Sequence, residues 1–141
     1  MRQQDYFETI IAYDSIFHIH INSSFFIEWE IFFFGLYEPE VIRLLKKAFK
    51  PDYYAIDVGA NIGAHTLAMC ALVKEGRIIA IEPHPMVFSR LLKNLQINNV
   101  RNAEAAQLAV SDRNCTAQLY SFCDSDCNQG KSSLVFSEIS D

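Results

Sequence analysis

The stretch that most constrains this chain is Ala55-Ile56-Asp57-Val58-Gly59-Ala60-Asn61-Ile62-Gly63. After one helix-length it is followed by a second apolar run, Arg77-Ile78-Ile79-Ala80-Ile81, which ends at Glu82-Pro83. Near-continuous apolar runs of this length read as buried strands, and a strand that passes directly into a helix has to reverse through glycine. The order is strand, glycine bend, helix, strand, then an acid at the second strand's tip. Parallel strands joined by a crossover helix are the unit of an α/β sheet, and such sheets hold ligands at the carboxyl ends of their strands.

The rest of the chain continues the alternation. Pro39 suits the first position of a helix in which Val41, Leu44, Leu45, Ala48 and Phe49 share one face. Arg43, Lys46, Lys47 and Lys50 lie outside that face, and Pro51 stops the helix. Residues 53–58 are expected to form the first central strand, covered on both faces. A helix is expected from Ala64 to Lys74 and a strand over 77–82. Another helix should start at Pro85, with Phe88, Leu91, Leu92 and Leu95 inward, and close at Asn98-Asn99. Residues 104–110, Thr116–Phe122 and Ser133–Phe136 read as strands, and Cys123–Gly130 as loop.

Near the N-terminus Phe17, Ile19 and Ile21 alternate with His18, His20 and Asn22, and Ile27, Trp29 and Ile31 alternate with Glu28 and Glu30. Period two predicts two strands, and Asn22-Ser23-Ser24 supplies the turn between them. The fold expected is α/β, the N-terminal half of a Rossmann-like doubly wound sheet whose second half is missing. Residues 1–36 form a β-hairpin extension and residues 37–141 the cofactor-binding half.

Composition narrows the function classes. With 50% hydrophobic residues the chain is not disordered. A net charge of −5 and no basic patch argue against a nucleic-acid partner. Ile16 to Leu36 is rich in Ile and Phe, but His18, His20, Asn22, Glu28 and Glu30 interrupt it, so no bilayer span is expected. Residues 1–10 lack the apolar run of an export signal, which predicts a cytoplasmic protein with its four cysteines reduced.

Gly59 permits the bend, and Gly63 lets a cofactor or a neighbouring element approach the helix start. A dinucleotide-binding bend carries glycine where this one has Asn61, and that side chain would crowd a pyrophosphate. A cofactor without phosphates fits better. Asp57, at the strand end, needs a partner such as an ammonium group if it is buried. Glu82 can accept hydrogen bonds from both hydroxyls of a ribose, each worth about 1.5–3 kcal/mol. The plainer alternative is a pair of turn-forming glycines and a solvated acid. The joint pattern of acid, spaced glycines, helix and second acid favours an adenosine-containing cofactor.

Asp57-Val58-Gly59-Ala60-Asn61-Ile62-Gly63-Ala64-His65-Thr66, with Ile81-Glu82-Pro83-His84-Pro85, resembles the FkbM-type methyltransferases, a group of class I S-adenosylmethionine-dependent enzymes. Leu36-Tyr37-Glu38-Pro39 and Ala109-Val110-Ser111-Asp112 resemble further segments of that family. The resemblance implies that Asp57, Gly59, Asn61, Gly63 and Thr66 line the methionine end of S-adenosylmethionine. It implies that Glu82 holds the ribose and that Glu38 closes over the site; Ala60 and Pro83 complete the cofactor-binding set. It also implies O-methylation of a hydroxyl on a sugar or secondary-metabolite-like small molecule. The Glu-Gly-containing strand usual in the family is absent.

No catalytic base is assigned, although His65 and His84 lie near the expected mouth. No metal is expected. His18 and His20 read as a polar outer strand face, Cys123 and Cys127 have no second ligand pair, and Cys70 reads as core. Two alternatives stand beside the methyltransferase. One is a non-catalytic or remnant cofactor-binding fragment. The other is an NAD-dependent dehydrogenase half, which should carry the tighter glycine triplet.

Overall fold

The computed structural model describes residues 6–114, 116–120 and 133–136. Its elements run β1 (Glu8–Tyr13), β2 (Phe17–Asn22), α1 (Phe26–Phe34), α2 (Pro39–Ala48), β3 (Tyr54–Val58), α3 (Ala64–Leu72), β4 (Arg77–Ile81), α4 (Pro85–Ile97), β5 (Ala103–Ala106), β6 (Ala117–Tyr120) and β7 (Ser133–Phe136). The fold is α/β, built on a parallel sheet ordered β3-β4-β5, with Asp57 opposite Ala80 and Ala80 opposite Ala105.

Successive crossovers of one hand in one direction put both connecting helices on the same face of the sheet. Ala80 on that face shares a core with Leu67 of α3 and with Leu91 of α4. On the other face Tyr54, Ile56 and Val58 are 81%, 62% and 60% exposed. The expectation of a first strand covered on both faces is corrected here. Among the described residues no element lies over that second face.

The N-terminal hairpin exists but uses different strands. β2 pairs antiparallel with β1, and Ile27–Ile31 lies inside α1. Five alternating residues also fit a helix that is apolar nearly all round. Glu28 and Ile31, three apart, turn inward, and Gly35 stops the helix at φ 71 while its N–H caps the Ile31 carbonyl. β1 went unread because Glu8-Thr9-Ile10-Ile11-Ala12-Tyr13 has no clean alternation. Tyr13, Ile19, Ile21 and Ile31 join the same core as Leu67 and Leu91, so hairpin and sheet bury one another.

Smaller corrections follow the same burial logic. In α2 the buried residue is Ile42, whereas Val41 and Leu44 are exposed, so the inward stripe is rotated from the expected one. In α4 Leu92 is exposed and Asn94 lies inside. β5 ends at Ala106, leaving Leu108 and Val110 exposed. β6 and β7 form a separate antiparallel pair. Cys115, Cys123 and Cys127 and the expected loop to Gly130 lie outside the described residues.

Candidate cofactor-binding site

The bend between β3 and α3 is closed by its own backbone. Gly59 and Ala60 both donate to the Ile81 carbonyl at 2.9 Å, and Gly63 donates to the Ala60 carbonyl at 2.9 Å. The Asn61 N–H donates to Glu82 Oε2 at 3.0 Å, and the Ile62 N–H donates to the Asn61 side-chain oxygen at 2.7 Å. Every amide from Gly59 to Gly63 is therefore engaged within the protein. A phosphate-binding bend needs such amides free to face the anion.

Glu82, at the tip of β4, is buried. Its carboxylate lies over the bend, one oxygen on the Asn61 N–H and the other accepting the His84 N–H at 2.9 Å. Each carboxylate oxygen has two acceptor sites, so two backbone bonds leave capacity for incoming hydroxyls. Asn61 itself sits in the left-handed region at φ 51. Asparagine tolerates that region better than most residues, and here its side chain also caps the next amide.

The two glycines act differently. Gly59 has φ +77 and an added Cβ would meet nothing within 4 Å, so its side of the bend is open. Gly63 has φ +93 and an added Cβ would lie 2.7 Å from Leu91 Cδ1. Its smallness serves the close approach of α4 to the start of α3.

Asp57 Oδ2 accepts the Thr66 hydroxyl at 2.5 Å. This neutral hydroxyl is a partner for Asp57 from within the chain and fixes the orientation of its carboxylate. Thr66 is fully buried, and its hydroxyl is bonded to Asp57. Ala60 is buried and Pro83 half-buried beside Glu82. Glu38 caps α2 in the left-handed region at φ 46 and places Oε2 3.4 Å from His65 Nε2, with the Tyr37 ring 5.5 Å from the His65 ring. The segment before α2 thus reaches the first turn of α3.

The remaining sequence candidates resolve into structural roles. His84 is buried and its Nδ1 accepts the Val87 N–H at 3.5 Å, capping α4. Cys70 is a buried free thiol, pushed up to about 12 by burial and by nearby Asp57, as suits a core residue. His20 is buried, which corrects the solvent-facing reading; its Nε2 lies 3.3 Å from Glu8. Among the described residues no His, Cys, Asp and Glu cluster could hold a metal. Asn94 was missed: its amide nitrogen donates to the Ile62 carbonyl at 2.8 Å. The available signal was a polar residue between Leu91 and Leu95 on an inward helix face.

The sequence profile of the Methyltransferase FkbM domain matches residues 57–140, starting at the bend acid and leaving Leu36–Pro39 outside. A Beauveria bassiana protein named Methyltransferase 1 is 32% identical over 71 residues, half of this chain and 28% of that protein. A Pyrococcus horikoshii tRNA(Phe) (4-demethylwyosine(37)-C(7)) aminocarboxypropyltransferase is 36% identical over 67 residues, 48% of this chain and 23% of that protein. The chain thus matches about a quarter of the length of these relatives. The crystal structure of M. jannaschii TYW2 in complex with AdoMet shares the fold, with a TM-score of 0.57 and 19% identity over 72% of this chain and 43% of that one. With the profile covering more than half of its residues, the chain belongs to the FkbM methyltransferase domain family.

Proposed function

We propose that this chain binds S-adenosylmethionine at the β3–α3 bend and serves methyl transfer to a hydroxyl of a sugar or secondary-metabolite-like small molecule. The observation that carries the reading is Glu82, held over a bend whose amides are all engaged within the protein. That arrangement suits a ribose with no phosphate beside it and disfavours NAD.

The residues present fit the group. Glu82 offers lone pairs to vicinal hydroxyls, Gly59 leaves open space at the bend, and Asp57, oriented by Thr66, offers a carboxylate to an ammonium. Asn61 and Gly63 set the backbone on which these groups sit, flanked by Ala60 and Pro83. Glu38 stands at the helix start with His65. When bound, S-adenosylmethionine supplies a methyl group on a sulfonium centre, a good leaving group. The protein's part is alignment, worth up to about 7–11 kcal/mol in favourable cases. Residues 37–141 hold the cofactor in this reading, and residues 1–36 brace them.

One observation favours a second reading. The Pyrococcus horikoshii relative is named for aminocarboxypropyl transfer to tRNA and is 36% identical over its matched stretch. The net charge of −5 weighs against an RNA acceptor. Incubation with S-adenosylmethionine labelled either in the methyl or in the carboxyl group, with sugars and polyols or with tRNA, separates the two. Methyl label in a small molecule is expected. Carboxyl label in tRNA would replace the first reading with the second.

A further inference from the structure

We propose that Asn94 is a positioning residue that ties the cofactor-binding bend to the N-terminal hairpin, so that β2 helps to hold the site in shape. The inference rests on the reading of the bend as the cofactor site.

Asn94 lies on the inward face of α4 and is fully buried. A buried amide in a helix is tolerated when its groups are bonded, and both ends of this one are. Its oxygen accepts the His20 N–H at 2.8 Å, and its nitrogen donates to the Ile62 carbonyl at 2.8 Å. One turn later Asn98 repeats half of the pattern. Its oxygen accepts the His18 N–H at 2.7 Å and its nitrogen donates to the His18 carbonyl at 2.6 Å.

The match of periods explains the arrangement. Residues four apart on a helix share a face. Residues two apart on a strand present their backbone groups to the same edge. The two asparagine amides therefore serve the edge of β2 as a neighbouring strand would. Only Asn94 continues to the bend. There the Asn61–Ile62 segment is pinned twice, by Glu82 at the Asn61 N–H and by Asn94 at the Ile62 carbonyl. The Ile62 carbonyl belongs to the peptide whose other end, the Gly63 N–H, donates to the Ala60 carbonyl at 2.9 Å, and that carbonyl is on the peptide whose N–H Glu82 grips, so loss of the second pin lets the first peptide turn and loosens the second.

The test is calorimetric titration of S-adenosylhomocysteine into the wild-type chain and into Asn94→Leu, Asn94→Asp and Asn98→Leu, with thermal unfolding followed by circular dichroism. Asn98→Leu loosens the hairpin without touching the bend. It is expected to unfold earlier yet keep wild-type affinity within about twofold. Asn94→Leu and Asn94→Asp are expected to bind about tenfold or more weakly at a temperature where all are folded. Asn94→Asp keeps the oxygen that His20 uses, and it decides the matter if Asn94→Leu does not fold. A purely structural role would lower stability and affinity alike in both positions. Wild-type affinity in a folded Asn94 variant, or an equal loss in Asn98→Leu, overturns the inference. A wild-type chain that does not bind S-adenosylhomocysteine overturns the cofactor reading and the inference with it.

Discussion

Glu82 and Asn61 are joined across the end of the sheet, the carboxylate accepting the backbone N–H at 3.0 Å. The bond runs from the tip of β4 to the bend after β3, so one side chain fixes the bend, and in the proposed reading it also faces the cofactor. Two such duties would give two separable effects when the residue is replaced.

Glu82→Ala leaves the amides of Asn61 and His84 without their acceptor. Each unsatisfied buried amide costs about 1–3 kcal/mol, so a loss of at least that size is expected in urea unfolding. Glu82→Gln keeps one accepting oxygen and is expected to lose less stability. A Glu82→Ala chain as stable as wild type would show that the carboxylate does not hold the bend.

The two glycines are expected to separate in the same assay. Gly63→Ala meets both a positive φ and Leu91 Cδ1 at 2.7 Å, whereas Gly59→Ala meets only the positive φ. Left-handed strain costs about 1–2 kcal/mol, and overpacking adds about 1–3 kcal/mol at position 63. Leu91→Ala should recover part of the added cost in the double variant. Equal losses at both positions would contradict the packing role of Gly63.

The legible part of this fold was the part with local signals. The glycine bend, the two central strands and the acid after the second were readable because each needs a distinctive residue at a fixed place. Pro39 and Pro85 gave the starts of α2 and α4 for the same reason. Ile27–Ile31 was misread because an apolar helix with two glutamates mimics period two over five residues. What settles it is the Glu28–Arg90 pair, 62 positions apart, which no local pattern shows. Thr66 as the partner of Asp57, and Asn94 as a link between hairpin and bend, depend likewise on elements brought together only by folding.

The Glu28–Arg90 pair makes its own prediction. Glu28 is almost wholly buried, with both of its oxygens on the Arg90 guanidinium at 2.5 Å. Removing one partner of a buried pair costs about 3–5 kcal/mol because the other charge is stranded. Arg90→Met is expected to lose that much, and Glu28→Leu combined with Arg90→Met is expected to lose less than the single variant. Additive losses would contradict the pairing.

Stability should also fall on the acid side of neutrality through His20. Burial first, then Lys93, holds its imidazole below the ordinary 6.5, with Arg90 adding to this and Glu8 opposing it. The unfolded chain then binds the proton more readily than the folded one. The contribution is intact above about pH 6.5 and is lost as pH falls through the lowered folded value. The urea midpoint is expected to drop between about pH 7 and about pH 5, and to drop less in His20→Gln. Parallel curves for the two chains would remove His20 from the effect.

The central claim is that the carboxylate of Glu82 grips a ribose beside a bend that has no place for phosphate. Calorimetric titration of the wild-type chain and Glu82→Gln with S-adenosylmethionine and with NAD tests it most directly. Saturable binding of S-adenosylmethionine, weakened about tenfold or more in Glu82→Gln, with no binding of NAD, is the expected result. Binding of NAD without S-adenosylmethionine, or an affinity for S-adenosylmethionine indifferent to Glu82→Gln, would contradict it.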